Sequence, residues 1–208
     1  MKNKLLVTAA LPYANGFIHL GHIAGAYLPA DIFVRFKRLC NEDIIFICGS
    51  DEHGTAIEIS AMKENVTPKE IIDRYHFANK DAFDKLGISF DIYSRTSNVI
   101  HHKTAQDFFL NLYDKNLLVQ KTEKQLYSEK DNRFLADRFV EGTCPICGYE
   151  EARGDQCESC GSNLTPLELK NPKSKISGDT PIVKEAVNFY FPLEQFQPKL
   201  EAWIKTKT

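Results

Sequence analysis

Four cysteines and two histidines carry the chemistry this sequence advertises. Cys144-Pro-Ile-Cys147-Gly148 and Cys157-Glu-Ser-Cys160-Gly161 are two CxxCG turns, with nine residues between Cys147 and Cys157. Each turn can aim two thiolates at one point while its glycine permits the tight backbone and nearby amides donate to sulfur. The pair therefore describes a closed tetrahedral four-cysteine site of the structural-zinc type. Iron fits similar knuckles and free thiols stay open, whereas a redox CxxC is expected singly beside a βαβ unit. Four thiolates leave no open coordination position, so such a site folds its surroundings rather than catalysing. Cys40 and Cys48 fall in helix and strand patterns, where small buried thiols are common, and have no assigned role.

The histidines stand three residues apart in His19-Leu-Gly-His22, where a strand gives way to a helix. The aliphatic run Leu5-Leu6-Val7 reads as a buried parallel strand broken by Pro12, Asn15 and Gly16, and a helix is expected to start near Gly21. Unpaired amides and the positive end of the macrodipole at such a helix start favour an anion, and the two imidazoles would add donors. Metal ligation, or two half-solvated rings at a helix start, are the plainer alternatives. A second polar loop, Gly49-Ser-Asp-Glu-His-Gly54, follows the apolar run Asp43–Cys48. It reads either as a polar turn capping the next helix or as the partner of the histidine loop, because ligands of open parallel sheets bind beyond the carboxyl ends of the strands.

The elements that must position these groups alternate. A helix carrying Ile23, Tyr27, Ala30, Phe33, Val34 and Lys37 follows the first strand, and Pro29 inside it predicts a kink or a split. Thr67-Pro-Lys-Glu70 is a capping box that opens a helix running through Ile71, Ile72, Tyr75, Ala78, Ala82, Phe83 and Leu86 to Gly87. A short strand around Phe90–Tyr93 and a helix from about Asn98 to Lys115, with Ile100, Thr104, Phe108 and Leu112 on one side, complete a β-α-β-α-β-α order. That order implies an α/β fold with a doubly wound parallel sheet. Beyond about Asn116 come short strand-like pieces (Gln125–Ser128, Arg133–Leu135), the cysteines, an extended Val187–Phe191, and a helix from about Pro198. The remaining histidines, His76 and the pair His101-His102, read as packed or solvated helix residues.

At 208 residues and 43% hydrophobic, the chain can bury one good core and a small second unit. Its net charge of −2 argues against a broad nucleic-acid-binding surface, so any RNA contact is local. No apolar run has the length of a membrane span, and Met1-Lys-Asn-Lys leads straight into a strand without a cleavable signal. A cytoplasmic protein without membrane contact is expected, with its six cysteines as thiols or metal ligands.

Leu11-Pro-Tyr-Ala-Asn-Gly16 followed by His19-Leu-Gly-His22 resembles the first signature of class I aminoacyl-tRNA synthetases, in the form carried by the methionyl-tRNA synthetase family. Leu20 stands where isoleucine is usual, which keeps the apolar contact. The resemblance covers nearly the whole chain and implies a Rossmann-like first half over residues 1–115 and an inserted connective domain with the zinc knuckle over 116–208. It implies that Asn15, Gly16, His19, Gly21 and His22 bind ATP, with His19 and His22 as the catalytic pair. Leu11, Tyr13 and Asp51 would bind methionine, Asp51 through its amino group. Cys144, Cys147, Cys157 and Cys160 would hold structural Zn2+, Mg2+ would accompany ATP, and tRNA would be the macromolecular partner. Lys173-Ser-Lys-Ile-Ser177 mimics the family's second signature, but its place just after the knuckles makes it a polar connecting loop. The resemblance thus implies an amino-terminal part of the enzyme that lacks the second signature and is inactive alone. The rival readings are another class I synthetase or nucleotidyltransferase of the same fold, and a zinc-ribbon binding module.

Overall fold

In the computed structural model, which describes residues 4–207, the chain divides into two compact units, Met1–Asp107 and Phe108–Thr208. The first unit is built on a parallel sheet of β1 (Lys4–Thr8), β2 (Asp43–Ser50) and β3 (Ile92–Arg95), hydrogen-bonded in that order. Leu5 pairs with Ile44 and Val7 with Phe46, so these side chains share one face. Against that face lie Ile23, Tyr27 and Val34 from one helical stretch and Phe83 from another, which makes the main core.

That first stretch is α1 (Leu20–His22), a π-helical segment Ile23–Tyr27 and α2 (Leu28–Leu39), joined end to end. The split that Pro29 predicts is therefore present, as a widened turn in which the Leu28 N–H donates to the Ile23 carbonyl. The buried stripe differs slightly from the expected one. Asp31 is buried in place of Phe33, accepting from Arg35 Nε (2.6 Å), Ser89 N (2.7 Å) and Ser89 Oγ (2.6 Å), while Phe33 stays exposed with Lys37 over its ring.

α3 (Thr55–Glu64) and α4 (Pro68–Lys85) connect β2 to β3. The capping box forms as expected: Thr67 Oγ1 accepts from Glu70 N and the Glu70 carboxylate accepts from Thr67 N at 2.8 Å. β3 starts two residues later than the Phe90–Tyr93 reading. Phe90 packs on the rings of Phe46 and Phe83 instead, and Asp91 ties back to β2 through both N and O of Phe46. α5 (Val99–Asp114) begins over the opposite sheet face, where Ile100, His101 and Thr104 line a cavity of about 390 Å³ with Thr8, Ile47 and Ser94. The strand-connecting helices pack on the first face, and α5 meets only the carboxyl-end rim of the second, where Leu6 and Ile45 stay exposed. The apolar periodicity of α5 is real, but none of its residues is buried.

The second unit holds two antiparallel sheets. β4 (Val119–Ser128), β5 (Arg133–Phe134) and β9 (Ile182–Tyr190) form one in the order β5-β4-β9, and β6 (Val140–Thr143), β7 (Ala152–Arg153) and β8 (Lys170–Ser174) form the other in the order β7-β6-β8. A last helix, α6 (Gln197–Ile204), starts one residue before the expected Pro198. Lys173 and Ser174 end β8, and the hydroxyls of Ser174 and Ser177 both donate to Asp131 Oδ2, at 2.6 and 2.8 Å. These bonds give the Lys173–Ser177 segment a structural task, and its first two residues are strand rather than the expected loop. Among the described residues, no helix is long and apolar enough to cross a membrane.

Candidate functional site

Because β1 and β2 are parallel neighbours, the loops that leave their carboxyl ends emerge side by side, and the backbone joins them directly. Tyr13 and Asp51 form a parallel bridge: Asp51 N donates to Pro12 O (2.9 Å) and Ala14 N donates to Asp51 O (2.8 Å). Tyr13 Oη donates to the His53 carbonyl at 2.8 Å. Gly54 sits at φ +124°, a backbone that favours glycine, and a Cβ there would displace the Tyr13 hydroxyl 2.4 Å away. The histidine segment and the acidic turn therefore line one rim of the sheet. Leu11, half exposed, lines the cavity between the sheet and α5.

His19 and His22 use each other's backbone. His19 Nδ1 accepts from Gly21 N (3.1 Å), His22 Nδ1 accepts from His19 N (3.3 Å), and the two rings stack with centroids 3.8 Å apart. An Nδ1 that accepts carries no proton, so both imidazoles hold theirs on Nε2, which the stacked and exposed rings leave for a ligand. A Cβ at residue 21 would come within 2.9 Å of His19 Cε1 and push that ring aside. The loop ahead of them is held from α4. Ile18 N donates to Asn79 Oδ1 (3.1 Å), Asn79 is buried, and Tyr75 packs edge-on against Phe17.

Beneath the acidic turn lies a charged cluster that the sequence reading missed. The Glu52 carboxylate is fully buried and receives Arg95 Nε at 2.8 and 2.9 Å, Ser50 Oγ at 2.7 Å and Ser97 Oγ. Arg95 also reaches Asp73 from Nη2 at 2.7 Å. Burial pushes the Glu52 carboxyl up, but the bonds from Arg95, Ser97 and Ser50 and the charge of Arg95 outweigh it and leave the group below its ordinary 4.5. His76 Nδ1 lies 2.6 Å from Ser50 Oγ. Since the Ser50 proton goes to Glu52, His76 donates here as the neutral Nδ1–H tautomer. Burial, then the charge of Arg95, lowers His76 from its ordinary 6.5 against the opposing pull of Glu52.

Both groups bind protons less readily in the folded than in the unfolded chain, so each contributes stability that is lost as pH falls. His76 acts first: its contribution is complete above 6.5 and fades below it, whereas that of Glu52 fades only below 4.5. The melting temperature of the wild-type chain is thus expected to drop between neutral pH and about 5, and that of His76→Gln to change less over the same interval. Parallel curves for the two proteins would refute the assignment.

In the second unit, Cys144 follows β6 and the four sulfurs all lie within 4.8 Å of one another. Cys144 Sγ and Cys160 Sγ are 3.9 Å apart, and Cys147 Sγ and Cys157 Sγ 3.6 Å. Zn–S bonds of about 2.3 Å place tetrahedral sulfurs roughly 3.8 Å apart, so the set fits a zinc ion. Each knuckle closes as expected, with Gly148 N donating to Cys144 O and Gly161 N to Cys157 O, both glycines at positive φ. The Ser162 hydroxyl and amide lower Cys160 to about 6. Cys48 is half-buried, pushed up to about 11 by desolvation, and Cys40 is exposed rather than buried.

The sequence model of the tRNA synthetases class I (M) family matches residues 5–208. The methionine–tRNA ligase of Chlorobium phaeovibrioides is 60% identical over 97% of this chain, and that of Chlorobaculum tepidum 56% identical over 99%. The chain spans about 29% of the length of these relatives. Among solved structures, the methionyl-tRNA synthetase of Mycobacterium tuberculosis in complex with methionyl-adenylate superposes with a TM-score of 0.67 at 23% identity, over 99% of this chain and 35% of that one. LeuRS of Agrobacterium radiobacter superposes at 0.65 and 17% identity, over 99% and 22% respectively. These distant structures share the fold. The family match over almost every residue, with relatives more than half identical along the same stretch, is decisive: the chain belongs to the methionyl branch of the class I tRNA synthetases.

Proposed function

We propose that this chain supplies the adenylate-forming histidine loop and part of the methionine pocket of a cytoplasmic methionine–tRNA ligase. The observation that carries the reading is the joined pair of loops, with two Nε2–H groups on one and Asp51 on the other. In the reaction a carboxylate oxygen of methionine attacks the α-phosphorus of ATP, the bond to the bridging oxygen breaks, and pyrophosphate leaves with its electron pair. His19 and His22 donate from Nε2 to phosphate oxygens as charge builds there, and Asn15, Gly16 and Gly21 shape the loop around the nucleotide. Asp51 pairs with the methionine ammonium, while Leu11 and Tyr13 wall the thioether. Mg2+ would accompany ATP and offset its phosphate charge; a hydroxyl of the terminal adenosine of tRNA then attacks the methionyl carbonyl carbon and AMP leaves. In the second domain, proposed over residues 116–208, Cys144, Cys147, Cys157 and Cys160 hold a structural Zn2+.

Methionine-dependent ATP–pyrophosphate exchange tests this in the full-length enzyme. Replacing one transition-state donor costs about 10²–10³ in rate, so His19→Ala is expected to lower kcat by that factor with little change in the KM for methionine. Asp51→Ala should instead raise the methionine KM. Undiminished exchange in His19→Ala, or exchange supported by another amino acid in place of methionine, would overturn the reading. The 208-residue chain by itself is expected to show almost no exchange, because the second signature loop of the family is not in its sequence.

A further inference from the structure

His53, in the acidic turn, and His102, in the first turns of α5, bring their Nε2 atoms to 3.3 Å with the rings tilted 43°. The same His53 Nε2 lies 3.3 Å from the carbonyl oxygen of Thr96. His53 Nε2 thus faces both a second imidazole nitrogen and a carbonyl oxygen. Hydrogen bonds explain this poorly. The two contacts compete for one atom: a His53 Nε2 that donates to Thr96 has no lone pair to accept from His102, and one that accepts from His102 has no proton for Thr96. A metal ion explains it better. With M–N bonds of about 2.0–2.1 Å, two nitrogens 3.3 Å apart subtend roughly 107° at the ion, close to the tetrahedral angle.

We propose that His53 and His102, with the Thr96 carbonyl, bind one divalent transition-metal ion of the imidazole-preferring class, Zn2+, Ni2+ or Cu2+. Both histidines are exposed, so the ion enters from solvent and water completes its coordination. His53 also borders a cavity of about 460 Å³ shared with Glu58, whose carboxylate lends the approach a favourable charge. The ion would tie the turn that carries Asp51 to the start of α5. Thr96 strengthens that tie, because its hydroxyl already accepts from Glu52 N at 2.8 Å. The site is separate from the four thiols and from the histidines of the proposed phosphate loop, so it holds whether or not the chain forms adenylates.

Calorimetric titration of the zinc-loaded 208-residue chain with Ni2+ tests the site, read as the difference between wild type and variants so that metal taken by the thiols cancels. Wild type and His101→Ala, which alters the neighbouring imidazole outside the pair, are expected to bind one Ni2+ per chain beyond the thiol site. His102→Ala and His102→Gln should weaken that binding at least tenfold while keeping the wild-type circular dichroism, since residue 102 is an exposed helix position. Equal Ni2+ binding by wild type and both His102 variants, no binding beyond the thiols, or a loss in His101→Ala matching that in His102→Ala would each overturn the proposal.

Discussion

Replacing Cys157 by serine, or stripping metal with a strong chelator at neutral pH, is expected to unfold the segment from Phe139 to Ser174 altogether. This segment has little else to hold it. Its sheet consists of β6, β7 and β8, four, two and five residues long, and its buried side chains include Phe139, Val140, Ala152, Leu164, Leu169 and two of the thiols themselves. Small zinc modules draw about 10–16 kcal/mol of apparent binding energy from their metal, more than the net stability of an ordinary domain. Zinc content measured alongside amide hydrogen exchange checks the expectation. One equivalent of zinc should copurify, and its removal should collapse protection in β6, β7 and β8. Full protection in the metal-free chain would show that the knuckle is ornamental.

A comparably severe loss is expected at Arg95. Arg95→Met keeps the length and the apolar stem of the side chain but leaves the Glu52 carboxylate buried with no cation beside it, and breaking one side of a buried pair costs about 3–5 kcal/mol. Glu52→Gln added to that variant should recover part of the loss, because a neutral amide no longer needs the guanidinium. Urea unfolding of the wild type, both single variants and the double variant gives the coupling directly. Strictly additive losses would mean that Arg95 and Glu52 do not depend on each other.

Local chemistry made much of this molecule legible from its residues. The four knuckle thiols, the Thr67–Glu70 box, β1, β2 and the proline interruption each have their cause within a few neighbours, and they formed where the spacing put them. The rest depends on partners far along the chain. Glu52 finds Arg95 across 43 positions, and Asn79 reaches back 61 to hold Ile18, and no periodicity marks either meeting. His76 read as an ordinary helix residue, since its buried place under the acidic turn depends on Ser50, which belongs to another element. The same limit hid His53 and His102, whose rings meet only once β2 and α5 are folded. For Phe90 and Phe33 the reverse happened. Their types fitted the local pattern, but ring packing took Phe90 out of the strand, and a buried Asp31 took the place that Phe33 would have filled.

The widened turn at Ile23–Tyr27 governs where the two imidazoles point. In a regular α-helix Pro29 would crowd the carbonyl of Gly25, and the extra residue in the π-turn relieves that strain. Each residue of an α-helix advances the chain by about 100° around its axis, so removing the surplus residue would swing His19 and His22 through roughly that angle relative to the part anchored by Val34 on the sheet. The proline thus works like an indexing pin: it sets the rotational phase of the segment that carries His19 and His22 against the helix held on the sheet.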